Sequence, residues 1–362
     1  MKIELKSNKA LGSWLVCAAL AIGMCAPQAA TISGAGSSAA APIYRSWAGE
    51  YAKESGVTLD YEAIGSTAGL KKIRAGATGF GASDVAPSQA ELDKDALVLI
   101  PMAITGVVPV IHLPKSGDIE LRLTGELLAR IFLGRITQWN APEIVQLNPG
   151  VVLRDWPIRV VVRSDGSGTT HNFADYLAKL SPDWKSQLGV KSSYAWPAGF
   201  LAVKGSDGVV KAVRETPGAI GYVDFGYVRE NKLHVVALKN SAGEFVLPST
   251  AGFRSALSNS DWASQGSFGS ALTDKAGLAT WPITMGTFVL FPKSTDQPEM
   301  TLRALQFFVW AFLHGDSLVQ KNNFVRLPDR VQATAFKAIT SIKDRTGHPL
   351  SLSLSLQGPL AQ

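Results

Sequence analysis

Arg163-Ser164-Asp165-Gly166-Ser167-Gly168-Thr169-Thr170 joins two different periodicities. Before it, Ile158, Val160, Val161 and Val162 form a β-like run. After it, Phe173, Tyr176, Leu177 and Leu180 recur at helical spacing. A strand that passes through a Gly/Ser turn into a helix leaves free backbone N–H groups at the helix start, where the macrodipole is positive. Such a start is a ready anion site. Ser167 and Thr169 add hydroxyls, and Arg163 adds a forked, permanently charged donor suited to a tetrahedral oxyanion.

The same arrangement recurs upstream. Thr31 to Ser38 reads as a short strand entering Gly34-Ala35-Gly36-Ser37-Ser38, followed by a helix carrying Ile43, Trp47 and Tyr51. The alternating run Val57 to Ile64 enters Gly65-Ser66-Thr67-Ala68-Gly69 and then Leu70 to Arg74. Phe80-Gly81-Ala82-Ser83-Asp84 is a further short strand ending on a carboxylate. One such turn is an ordinary helix cap; three, with an acidic loop between them, suggest a shared anion. Gly205-Ser206-Asp207-Gly208 marks another helix start. Leu97 to His112, broken by Pro101, Gly106 and Pro109, reads as a buried strand in which the chain first crosses between lobes, near Val108–Ile111. Thr287 to Phe291 reads as the return crossing, and the helix Met300 to His314 rejoins the first lobe. Ser116 to Leu133 is expected to be largely helical, and Ser181 to Ser193 a polar loop around Trp184.

The 362 residues are enough for two packed lobes, with 46% hydrophobic and 18% charged residues. A net charge of +6 is spread without a Lys/Arg block, so nucleic acid is not an expected partner. Lys2, Lys6 and Lys9, the apolar span from Leu11 to Ala26, and Ala29-Ala30 read as a removable secretory signal peptide over residues 1–30. Cys17 and Cys25 both lie in this leader, which leaves the exported chain without a disulfide or thiol chemistry. His112, His171, His234, His314 and His348 are scattered and suggest no metal site. Trp47, Trp139 and Trp281 are expected in the core.

Taken together and in order, these loops resemble the periplasmic phosphate-binding protein family of the phosphate ABC importer. The matching pieces are Gly34-Ala35-Gly36, Gly65-Ser66, Phe80-Gly81-Ala82-Ser83-Asp84, Leu133-Gly134 with Trp139, Asp165-Gly166-Ser167-Gly168-Thr169, Pro217 to Val223 and Trp281-Pro282-Ile283-Thr284. The resemblance implies an α/β, two-lobe periplasmic-binding-protein fold (type II-like), hinged, with ligand in the cleft. It implies lobe 1 over residues 31–110 and 289–345, lobe 2 over 111–288, and a tail from 346 to 362. It also implies a soluble, monomeric, periplasmic receptor that takes inorganic phosphate, uses no cofactor and hands its ligand to an ABC permease in the inner membrane.

Carried over by position, the ligand shell would be Ser38, the amide of Ala39, Ser66, Asp84, Arg163, Ser167, Gly168 and Thr169, with Asp165 orienting Arg163. The family usually has Thr-Phe-Pro where this chain has Ser38-Ala39-Ala40. Asp84 is the informative member: a carboxylate beside an anion makes sense when the ligand brings a proton, as phosphate does and sulfate does not. Buried acceptors left facing each other reject the unprotonated ion, roughly 10⁴-fold in comparable sites. The alternatives are a secreted phosphatase-like hydrolase and a receptor for another oxyanion. The first lacks an evident base beside Ser38 or Ser66, so the expectation is a protein that is not an enzyme.

Overall fold

The computed structural model describes residues 30–114 and 119–350. The expected leader up to Ala29 and the tail beyond Leu350 lie outside the described residues. One strand, Leu97–His112, organises the rest. Almost every side chain along it is buried, as expected of an apolar run too long for one small sheet. Its first part pairs antiparallel with Thr284–Pro292, from Leu97↔Pro292 to Gly106↔Thr284. From Val107 onward it pairs instead with Ala219–Asp224, also antiparallel. The change of partner falls between Gly106 and Val107.

Parallel strands extend the sheet on either side. The order is Thr58–Glu62, Thr31–Gly36, Phe80–Ser83, Thr284–Pro292, Leu97–His112, Ala219–Asp224, Arg159–Arg163 and Leu201–Val203. Register skips Met102 between Ala103↔Thr287 and Pro101↔Phe288. A proline has no N–H to give the ladder, so a bulge beside Pro101 is where the irregularity costs least. Helices Ala41–Ser55, Ser66–Arg74 and Pro298–His314 pack on the first half-sheet, and Gly168–Leu180 and Gly205–Glu215 on the second. The product is the two-lobe α/β architecture expected from the order of strands and turns.

Each half has its own aromatic core. Tyr44 packs edge-on to Phe80 and Phe308, which lie 4.8 Å apart. In the other half Phe173 stacks on Tyr222 at 4.3 Å, with Phe132 edge-on to Phe173 at 4.8 Å. Trp47, Trp139 and Trp281 are buried, and each indole N–H donates to a main-chain carbonyl, of Gly315, Gly218 and Val107 respectively. The segment expected to be helical from Ser116 instead contains the strand Leu121–Leu123 before helix Gly125–Phe132. Leu121 and Leu123 are buried against Val236 and Leu238, so alternation wins over helical spacing there. The stretch around Trp184 is a short helix, Pro182–Gln187, capped by Ser181.

Candidate functional site

Five segments converge where parallel strands end. Thr31–Gly36, Thr58–Glu62, Phe80–Ser83, Arg159–Arg163 and Leu201–Val203 all point their carboxyl ends at one crevice between the half-sheets, the usual ligand position in open α/β sheets. Four of them run on into helices, Ala41–Ser55, Ser66–Arg74, Gly168–Leu180 and Gly205–Glu215. The fifth ends at Asp84.

The close approach is measurable at two glycines. A Cβ on Gly168 would lie 2.6 Å from Ser66 Oγ and 2.7 Å from Asp84 Cβ, atoms of the opposite lobe. A Cβ on Gly65, which sits at φ +92°, would lie 2.4 Å from an Asp165 carboxylate oxygen. Main-chain and side-chain bonds then tie the loops together. Thr67 N–H donates to Gly166 O at 3.1 Å. Asn172 Nδ2 reaches both Asp84 O (2.8 Å) and Gly168 O (2.9 Å).

The eight residues of the expected ligand shell, Ser38, Ala39, Ser66, Asp84, Arg163, Ser167, Gly168 and Thr169, are all buried, and Asp165 is half-buried. Ser38 Oγ meets Ser206 Oγ at 2.9 Å and accepts from Ser206 N–H at 3.3 Å. Ser66 Oγ accepts from Asp84 N–H at 3.2 Å. Ser167 is the N-cap of helix Gly168–Leu180, its hydroxyl accepting from Thr170 N–H. Hydroxyls here therefore cap and line the site at once.

Arg163 is 2% exposed and lies in a forked pair with Asp165: Nε donates to Oδ1 at 2.7 Å and Nη2 to Oδ2. A guanidinium has five N–H donors, so this pairing fixes its plane while leaving others for a ligand. Burial pulls the Asp165 pKa up, but hydrogen bonds from Arg163 and Gly205 N–H, with the Arg163 charge, outweigh it and leave the group below its ordinary value. Asp84 is different. Burial pushes it up to about 6, against the pull of the Ser37 hydroxyl, Thr287, the Arg163 charge and Ser66. Behind it, Thr287 Oγ1 and the Tyr44 hydroxyl are buried without a well-aligned hydrogen-bond partner. A carboxylate near pKa 6 is ionised at neutral pH yet costly to keep so, and a ligand hydrogen relieves it.

Three contributors were not singled out from the sequence. Ser37 donates to Asp84, Ser206 meets Ser38, and Asn172 spans the lobes. Ser37 and Ser206 lay in turns already read as Gly/Ser helix starts, which was the available signal. Asn172 had none, because its role depends on a loop 88 residues away. His171 is half-buried in the first turn of its helix, burial lowering its pKa, and no cluster of metal-ligating side chains occurs among the described residues.

A family model described as a PBP superfamily domain matches residues 25–280. The chain is 43% identical over 307 residues to the phosphate-binding protein PstS of Haemophilus influenzae, covering 85% of this chain and 92% of that protein. It is 42% identical over 325 residues to the protein of the same name from Pasteurella multocida, covering 89% and 94%. Among solved structures, a phosphate-binding protein from Stenotrophomonas maltophilia superposes with a TM-score of 0.65 at 21% identity, over 92% of this chain and all of that one. That likeness supports the fold, while the sequence relatives fix the lineage: this chain belongs to the PstS family of phosphate-binding proteins, built on the PBP superfamily domain.

Proposed function

We propose that the chain is an extracytoplasmic receptor that binds inorganic phosphate between its lobes and delivers it to an ABC-type permease. The observation that carries the reading is that one crevice buries both Arg163, whose charge is felt at Asp84, and Asp84 itself: a fixed cation for the charge of an oxyanion, and a carboxylate for its hydrogen. Its relatives are named for phosphate binding. Those names state binding and no reaction, and this chain is read likewise as a receptor without catalysis.

In mechanism, Arg163 supplies charge and N–H donors, held in plane by Asp165. Ser38, Ser66, Ser167 and Thr169 donate hydroxyl hydrogen bonds, and the amides of Ala39 and Gly168 add main-chain donors at positive helix ends. Asp84 accepts from the ligand's O–H. Lobe 1 (31–110 with 289–345) and lobe 2 (111–288) close over the ion by bending where the chain crosses between them. The exported protein acts as a monomer in the periplasm after loss of residues 1–30; no described helix is long and apolar enough to cross a membrane.

The test is an equilibrium titration with phosphate, arsenate, sulfate and molybdate, run beside a turnover assay on a chromogenic phosphate ester. Saturable 1:1 phosphate binding without ester hydrolysis supports the receptor; turnover would favour the hydrolase.

A further inference from the structure

A residue outside the expected ligand shell donates to Asp84. Ser37 Oγ lies 2.7 and 2.6 Å from the two carboxylate oxygens of Asp84. Ala40 N–H donates to the same Oγ at 3.1 Å. A hydroxyl has one hydrogen to give, and with one lone pair taken by the Ala40 amide its O–H is turned to the carboxylate. The residue itself is held from both sides: its N–H donates to Ala82 O at 3.0 Å, and its carbonyl accepts from the Tyr61 hydroxyl at 2.7 Å. At 1% exposure, bulk water has little access to replace the bond. We propose that Ser37 sets ligand specificity: its hydroxyl, donated to Asp84, holds that carboxylate as an acceptor aimed at the ligand's own hydrogen. The proposal rests on the phosphate reading above.

The surroundings show why one hydroxyl matters. Arg163 faces Asp84 from the other lobe and favours its charge, but is already shared with Asp165. Asp224, at the end of Ala219–Asp224, feels the Asp84 charge, which helps raise its own pKa. Tyr44 on helix Ala41–Ser55 and Tyr61 on strand Thr58–Glu62 are further titratable neighbours, both held neutral by burial. With burial pushing Asp84 to about 6, Ser37 is the foremost hydrogen-bond donor opposing protonation. A protonated Asp84 becomes a donor and would accept an ion that brings no hydrogen, so losing Ser37 moves the site toward sulfate.

The experiment titrates the full chain, Ser37→Ala and Ser37→Thr with phosphate and with sulfate from pH 5 to 8.5. Phosphate's own ionisation is common to all three proteins and cancels in their ratio. In Ser37→Ala the preference for phosphate should fall about tenfold near neutral pH, and its acid limb should move up by about one pH unit. Ser37→Thr, which keeps the hydroxyl, should follow the wild type. If the threonine methyl unseats the loop, NMR titration of the Asp84 carboxyl carbon in wild type and Ser37→Ala reads the same shift. A variant weakened equally for both anions at every pH would show a capping role alone and overturn the proposal, as would an unchanged profile. A wild-type chain that does not prefer phosphate overturns the parent reading before any substitution is made.

Discussion

At the scale of single residues, the site sets two ion-handling groups in contrast. Asp165 is ionised by its fork with Arg163, whereas Asp84 is pushed upward by burial. The first orients a cation, and the proposed role of the second is to accept a hydrogen from the ligand. Replacing Arg163 by Ala should weaken phosphate and sulfate alike, by about a hundredfold or more, the scale of a lost buried charged hydrogen bond. Arg163→Lys should fall between, because it keeps the charge and loses the fork. Calorimetric titration of both variants checks this, and an Arg163→Ala protein that loses only one of the anions would contradict it. Asp84→Asn should behave oppositely, with modest loss of phosphate affinity and gained sulfate binding, read in the same titration.

At the scale of elements, helix starts meet where their side chains leave no spare room. Gly168 is needed for space rather than for backbone freedom. Its Cβ in Gly168→Ala would collide with Ser66 and Asp84 across the crevice. We expect that variant to keep its helical circular dichroism and lose phosphate affinity about a hundredfold, since each lobe folds but the two stand off; normal affinity would show that the lobes need not close this far. Much of this was legible in the sequence. The long strand Leu97–His112, the strands ending in Gly/Ser turns and the helix reaching His314 follow from alternation, helical spacing and turn chemistry. Of the residues carried over by resemblance, Ser66, Asp84 and Gly168 meet across the crevice. What stayed hidden depends on tertiary contact. Ser206 stands in a readable helix start, yet only folding sets it against Ser38, 168 residues away. Leu121 and Leu123 look helical until Val236 and Leu238 are beside them.

At the scale of the molecule, the crossing between lobes carries its own buried acid. Asp224 is fully buried, accepts from Thr105 Oγ1 at 2.6 Å and Gly226 N–H at 2.7 Å, and burial raises it to about 7. Asp84 adds to that rise by its charge. The unfolded chain gives up these protons near pH 4, while the folded chain holds them to about 6 and 7. Between those limits the folded state binds more protons, so ligand-free stability should rise as pH falls from about 7 toward 4. Asp224→Asn keeps an acceptor for Gly226 and removes the charge. Its melting temperature should rise at pH 8 and vary less between pH 5 and 8; a fall at every pH would mean that the carboxylate is needed as such.

The claim on which all three scales depend is that the closed crevice recognises an oxyanion by the hydrogen it carries. Isothermal titration of phosphate into the protein at pH 8, where Asp84 is ionised, with and without a large excess of sulfate, tests it most directly. The account predicts one tight site per chain and an isotherm that sulfate leaves unchanged. Displacement of phosphate by sulfate at comparable concentrations would contradict it.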